Sequence, residues 1–274
     1  MSLSALVPVA PAALIRPSLT IGVLTKNEAH RIEKCLHSAA FADHVIVVDS
    51  GSTDDTLARA SATGAQVVAY PDWQGFGVQR SRLLAHVVDD YILFLDADEV
   101  ITPQLQAQIQ AAVGSGAAAV WQVRWRMAAF GRELRYFLPG KGPERLFRRD
   151  MLRGFDGVVH EQAVLEDRFA DVPRHVLRGA LLHHSRETVR AALEKLTQYA
   201  LLGADKRRAA GKRGGVLRGL SAGVSMFLRL YVLRLGFLCG SAGFLYCLFI
   251  GLEAFFRYAA LYYDRAHLTG TVSR

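Results

Sequence analysis

Cysteine is scarce in this chain of 274 residues: Cys35, Cys239 and Cys247 are all it has. Their spacing offers neither a zinc pattern nor a disulfide framework, which fits a reducing compartment. Two phosphate-binding signatures are also missing. No Gly-x-Gly-x-x-Gly follows the first apolar run, and no Gly-x-x-x-x-Gly-Lys-Ser/Thr occurs, so Rossmann dinucleotide and P-loop readings lose their support. The stretch Met1 to Pro17 is apolar but has no positively charged lead, and Pro8, Pro11 and Pro17 break it. Residues 1–18 are therefore expected to form a loose tail and not a signal peptide. Acid is absent between residues 206 and 252. What these absences leave is a basic and rather apolar chain, with a net charge of +8, 51% hydrophobic residues and a mean hydropathy of +0.17. A membrane surface or a nucleic acid is the standard partner for such a balance.

One stretch organises the rest: Tyr91-Ile92-Leu93-Phe94-Leu95-Asp96-Ala97-Asp98-Glu99. An apolar run between polar ends reads as a buried parallel strand. Carboxylates at its C-terminal end would lie at the mouth of an α/β sheet, where such sheets bind ligands. Asp96 and Asp98 are two apart, so on a continuing strand they share a face. Such a pair can hold Mg²⁺ or Mn²⁺, ions that share their shell with substrate phosphates. The bland alternative is a solvated strand end ahead of a helix beginning at Thr102-Pro103.

Before that stretch, apolar runs at 19–24, 44–48 and 66–70 read as strands. Helical segments follow each: through about Phe41, from Asp55 to Thr63 with Asp54 as N-cap, and from Val78 to Val88. The alternation predicts a parallel sheet. Thr25, Asn27 and Glu28, then Asp49, then Asp96 and Asp98 would all fall at one edge of it. Beyond residue 115 the pattern changes. Residues 117–130 alternate as a strand with Trp121 and Trp125 on one face, and Gly131-Arg132-Glu133 reads as a hairpin turn with a return strand near 134–138. Residues 139–143 read as a loop. Arg145, Arg148 and Arg149 could meet a diphosphate, although a solvated face is the simpler expectation. Val176 to Ser185 is a further strand, and Glu187 to Ala210 has helical composition. The tail holds an uncharged run from Leu235 to Leu252 interrupted by Gly236, Gly240, Gly243 and Gly251, with Lys206, Arg207, Arg208, Lys212, Arg213, Arg218, Arg229 and Arg234 ahead of it. A basic, apolar segment suits an anionic membrane surface. A helical hairpin packed on the rest of the protein would carry the same composition.

Four motifs in order, Thr25-Lys26-Asn27-Glu28, Asp49-Ser50-Gly51-Ser52-Thr53-Asp54, Asp96-Ala97-Asp98-Glu99 and Val159-His160-Glu161, resemble those of the inverting family 2 glycosyltransferases of GT-A fold. Among these, the resemblance is to bacterial enzymes that add a sugar, often glucose, to the heptose region of the lipopolysaccharide core. It covers residues 19–200 and extends more weakly into the tail. It implies an α/β GT-A fold with a nucleotide-sugar half over 19–115, an acceptor half over 116–210 and an apolar helical segment over 211–274. Thr25, Asn27, Glu28, Asp49, Gln79, Arg80, Asp96 and Ala97 would bind the nucleotide sugar. Asp96, Asp98 and His183, the last with His184 beside it, would hold Mg²⁺ or Mn²⁺. Ser81 stands where the family has Asn. Glu161 would be the general base, with His160 beside it in a supporting role. The implied partners are a UDP-sugar, a lipid-linked glycan acceptor and the cytoplasmic face of the bacterial inner membrane, held peripherally or by a re-entrant segment, with no nucleic acid.

The chemistry asks for these residue types independently. Breaking a sugar–diphosphate bond leaves charge on the leaving group, which a cation stabilises. The acceptor hydroxyl is a weak nucleophile and needs a base on the opposite face of the sugar. A single carboxylate suffices for displacement with inversion, by analogy with inverting hydrolysis. A nucleotidyltransferase would also use acids at a sheet edge, but it would need a Gly-rich loop where Thr25 to Ala29 stands. A non-catalytic membrane-binding module would explain the tail and leave the polar strand ends without a use.

Overall fold

The computed structural model describes residues 16–138, 140, 142–157 and 162–268. All seven residues of β1 (Leu19–Thr25) are buried, as its unbroken apolar run requires of a central strand covered on both faces. It pairs in parallel with β2 (His44–Asp49) on one side and β4 (Tyr91–Asp96) on the other, and β3 (Gln66–Ala69) extends the sheet beyond β2. The crossovers are α1 (Ile32–Ala39), α2 (Thr56–Ala62) and α3 (Phe76–Leu84). Alternate residues feed two cores. Ile21, Val23, Leu93 and Leu95 pack on the α1 side, while Leu24, Val48, Ile92 and Phe94 pack on Leu83 and Leu84 of α3.

The second half makes the sheet mixed. A short β5 (Glu99–Ile101) leads into α4 (Pro103–Gly114), whose N-cap Thr102 accepts from the Leu105 N–H. Then come β6 (Val120–Ala129), β7 (Arg132–Glu133), β8 (Glu144–Arg148), the hairpin of β9 (Leu152–Asp156) with β10 (Gln162–Leu165), and β11 (Arg174–Arg186). The order is β3-β2-β1-β4-β8-β6-β11-β5, with β7 hung on β6. Parallel pairing is confined to the first four strands and to β6 with β11; β8 runs antiparallel between β4 and β6. The expected return strand over 134–138 does not form; the pairing on β6 is the two residues of β7, which were expected to lie in the turn. Phe130 and Gly131 turn with positive φ, and Leu134 then drops into a hydrophobic cluster.

That cluster receives the tail. The long α5 (Val189–Ala209), capped by Thr188, leads to α6 (Val216–Leu228), which continues helically to Leu233, and to α7 (Gly240–Tyr263). Ala242, Tyr246 and Cys247 of α7 pack with Ala129 and Leu134, and Phe249 packs with Ala192 and Leu196 of α5. Two glycines expected to break the apolar run are instead inside α7, at close approaches. A Cβ on Gly251 would lie 3.1 Å from the Gly223 carbonyl of α6, and one on Gly243 would lie 2.2 Å from the Gly236 carbonyl. Glu253, mid-helix, accepts from Arg186 at the end of β11 (3.1 Å) and from Arg257 (2.6 Å). Losing one partner of such a buried pair costs about 3–5 kcal/mol, so it fixes where α7 sits against β11. The segments Val216–Leu233 and Gly236–Tyr263 are both long and apolar enough to cross a membrane, with mean hydropathies of 1.4 and 1.7. They differ in cover: 11% of the first is buried, against 44% of the most apolar 18-residue stretch of the second.

Candidate active site

Register puts the polar strand ends level. Thr25 pairs with Asp49 across β1 and β2, and Leu24 with Asp96 across β1 and β4. The loops that follow β1 and β2 are then stitched together. The Asn27 side-chain oxygen accepts from the Thr53 N–H, and the Asn27 N–H donates to Ser52 Oγ, each at 2.8 Å. The Glu28 N–H donates to Thr56 Oγ1 (2.8 Å), and the Ala29 N–H to Asp54 Oδ2 (3.2 Å). Asn27 manages this with φ of 53°, a left-handed conformation that Asn tolerates better than most residues. Asp54 was expected to be the N-cap of α2. The capping position is Asp55, without a side-chain bond, and Asp54 spends its carboxylate on Ala29 and Thr56 instead. This stitching also shortens α1, which begins at Ile32 and not directly after Glu28.

Asp49 is buried, and its Oδ2 accepts from the N–H groups of Gly51 (2.8 Å) and Ser52 (2.9 Å), with the Ser52 hydroxyl on Oδ1. It shapes the loop from inside. Thr25 is likewise buried beneath the mouth, and the Glu28 carboxylate holds Arg31. Gln79 has no exposed surface; its Nε2 donates to Ser50 Oγ (3.1 Å) and to the Tyr70 carbonyl (2.9 Å), tying α3 to the same strand ends.

The acidic stretch departs from a continuing strand. β4 stops at Asp96 and the chain turns through Ala97 and Asp98 into β5, so the two aspartates acquire different neighbours. Asp96 lies between Arg80 (3.1 Å) and Arg145 (2.5 Å). Burial acts to raise its pKa, but Arg145 and then Arg80 outweigh burial and hold it well below the usual carboxylate range. Arg145, expected on a solvated face, is buried, because it also reaches Glu99 Oε1 (3.1 Å). Arg80 is buried over the Phe94 ring at 5.4 Å. Glu99 is fully buried, accepting from the Asp96 N–H (2.9 Å) and from Trp125 Nε1 (2.6 Å), and burial pushes its pKa up. Trp125 is thus part of the site, whereas Trp121, on the same strand face, packs in the core near Tyr91.

Asp98 is reached from the far end of the chain. The antiparallel pairing of β5 with β11 sets His183 opposite Glu99, and the His184 N–H donates to the Asp98 carbonyl (2.9 Å). His183 Nε2 then lies 3.2 Å from Asp98 Oδ2, and Lys195 of α5 places Nζ 3.6 Å from the same oxygen. Burial would raise the Asp98 pKa; the His183 charge and hydrogen bond and the Lys195 ammonium overcome it and bring it down to about 2. Of the adjacent histidines, His183 is the one at the carboxylate, while His184 faces Glu187 (3.5 Å). Lys195 was not foreseen as a site residue; Arg145 and Trp125 could be placed there from sequence, but a solvated face and core packing were the preferred expectations for them. Lys195 had no sequence signal pointing to Asp98, because their meeting depends on the β5–β11 pairing.

Glu161 and His160 lie outside the described residues, as do Pro139 and Lys141 of the expected loop. The hairpin on either side of 158–161 is fixed to α3. The Phe155 N–H donates to Ser81 Oγ (3.0 Å), and the Gly77 N–H to the Gly157 carbonyl (3.2 Å). Ser81, standing where Asn was expected, therefore has a clear structural use.

A profile of the family described as Glycosyl transferase family 2 matches residues 20–161, from β1 through the site. The chain belongs to glycosyl transferase family 2. Its α/β core, with apolar C-terminal helices, is the GT-A architecture expected of such a member. An uncharacterised glycosyltransferase of Rickettsia felis is 29% identical over 248 residues, 87% of this chain and 87% of that one. The lipopolysaccharide core biosynthesis glycosyltransferase LpsC of Rhizobium meliloti is 26% identical over 264 residues, 90% of this chain and 93% of its own. Among solved structures, the glucosyl-3-phosphoglycerate synthase of Mycobacterium tuberculosis, in complex with Mn²⁺, uridine diphosphate and glucosyl-3-phosphoglycerate, is 23% identical. It superposes with a TM-score of 0.48, covering 66% of this chain and 75% of that one. As a family 2 member the chain is a glycosyltransferase.

Proposed function

We propose that this glycosyltransferase moves a hexose, glucose first among the candidates, from a UDP-sugar to a lipopolysaccharide-core or related lipid-linked glycan, with inversion. The observation that carries the reading is the convergence at one sheet edge of the stitched loops of Asn27 and Asp49 with Asp98 and His183, 3.2 Å apart. The likeness to LpsC along most of both chains supports the acceptor class. The donor set fits a hard divalent ion: a carboxylate and an imidazole come together, and substrate phosphates commonly complete the shell of Mg²⁺ or Mn²⁺. Asp98 and His183 would hold it, with Asp96 behind them. Bound there, the ion would offset charge gathering on the departing diphosphate.

The chain's own groups do the remainder. Asp49 and the Asn27 loop hold the uridine side, and Arg80 and Arg145 keep Asp96 ionised. Glu161 takes the proton of the acceptor hydroxyl as that oxygen bonds to the anomeric carbon. The bond to the diphosphate oxygen breaks and its electron pair leaves with the nucleotide. A screen of UDP-, GDP- and dTDP-sugars for slow donor hydrolysis by the full-length protein with Mn²⁺ tests the donor. UDP-hexoses should give the fastest turnover, suppressed by chelation. A preference for GDP- or dTDP-sugars would overturn the uridine assignment.

The tail supports residence on the cytoplasmic face of the inner membrane. Its basic residues each add about 1 kcal/mol of attraction to an anionic surface, and salt screens that attraction. Leu217, Leu220, Val224 and Leu228 of α6, at helical spacing, are all half-exposed or more. α7 is pinned to the protein by Arg186 and Glu253, so α6 is the helix free to lie in the interface. High salt should release only part of the protein from vesicles of anionic lipid, and detergent the rest. Full retention in the soluble fraction at low salt would mean that α6 and α7 are a cap on the catalytic half and nothing more.

A further inference from the structure

Asp98 meets two basic side chains on one oxygen, and only one of them belongs to the expected site. His183 Nε2 and Lys195 Nζ approach Asp98 Oδ2 at 3.2 and 3.6 Å. Lys195 sits beside the face of α5 that buries Ala192, Leu196 and Ala200, so its stem runs along protein and its ammonium ends at the carboxylate, with 27% of the side chain exposed. Arg80 and Arg145 answer Asp96 and Glu99, and Lys195 answers Asp98. A divalent cation arriving alone at Asp98 would gain one carboxylate and meet an ammonium beside it, a like-charge contact that weakens binding. A diphosphate arriving alone would meet Asp98. Arriving together, they resolve both conflicts, provided the ammonium changes partner.

Building on the reading of this edge as the donor site, we propose that Lys195 is a ligand of the donor diphosphate that otherwise occupies Asp98 as a stand-in cation. It passes from the carboxylate to a phosphate oxygen when cation and nucleotide enter as one unit. Nothing covalent is involved; an ion pair is exchanged for a charge-assisted hydrogen bond to phosphate. The consequence is coupled binding, with the free ion held weakly and the ion plus uridine diphosphate held well. The coupling should be lost when the ammonium is removed.

The test uses full-length wild type, Lys195→Met, which keeps the stem, and Lys195→Arg, which keeps the charge. Mn²⁺ affinity without nucleotide is read from the electron paramagnetic resonance of free Mn²⁺, and uridine diphosphate affinity at saturating Mn²⁺ from calorimetry. Lys195→Met should bind Mn²⁺ alone more tightly than wild type. It should bind uridine diphosphate about tenfold or more weakly, the size expected for one lost bond to a charged group. Lys195→Arg should recover most of the nucleotide affinity. Opposite signs in the two titrations are the signature. A variant weaker in both, tighter in both, or unchanged in both overturns the role of Lys195 while the donor site stands. A wild type that takes Mn²⁺ but no uridine diphosphate overturns the donor-site reading and this inference with it.

Discussion

Asp98→Ala should abolish sugar transfer in a protein that still folds. The carboxylate sits where β5 and β11 meet, and it holds His183 and Lys195. In the proposed site it is the direct protein ligand of the cation, because Asp96 is occupied by Arg80 and Arg145. A cation offsetting leaving-group charge supplies several kcal/mol, so its loss should lower the transfer rate on the order of 10³-fold. The Ala variant also leaves the half-buried Lys195 and His183 without their acceptor, which costs stability, so Asp98→Asn is the cleaner partner. It keeps the size and an acceptor oxygen for His183 while removing the charge. Both should lose transfer at saturating Mn²⁺, and Asn should melt within a few degrees of wild type. Activity within about tenfold of wild type in the Asn variant would place the cation elsewhere, since several kcal/mol cannot vanish at so small a cost.

The parts of this site that sequence could show are those built from single strands. Thr25, Asp49 and Asp96 end apolar runs, and the rule that parallel strands present their C-terminal ends along one edge predicts that they lie together. Pairing register confirms that they are level. The parts that sequence could not show depend on which strands pair at long range. Asp96 and Asp98 were read on one strand face, but Glu99 and His183 pair across β5 and β11, and that contact bends the chain at Ala97. The same pairing selects His183 over its neighbour. Arg145 looks like any member of a basic strand until β8 inserts between β4 and β6 and buries it against Asp96 and Glu99. In the tail, composition gave an apolar basic segment, but glycine counts misread its geometry. Gly243 and Gly251 are contact points within a helix, visible only once Gly236 and α6 are in place.

Glu161→Gln carries the other large effect. The proposed reaction needs a base for the acceptor hydroxyl, and Gln keeps the shape of Glu without the ability to take a proton. A positioned base contributes on the order of 10²–10⁴-fold, so kcat should fall by that range. Uridine diphosphate binding should stay near wild type, because the base meets the acceptor and not the nucleotide; a loss confined to kcat marks an interaction made in the transition state. Glu161 itself lies outside the described residues, but its flanks favour the assignment. Gln162 pairs with Asp156, and Ser81 and Gly77 fasten that hairpin to α3, the helix that also carries Arg80 to Asp96. The same geometry ranks the substitutes. Glu144 is engaged by Arg174 at 3.1 Å, whereas the exposed Asp156 accepts only from its neighbour Gly157 among the bonds described. A Glu161→Gln variant that keeps more than about a tenth of wild-type kcat would fall outside the range for a lost base and move the role to Asp156.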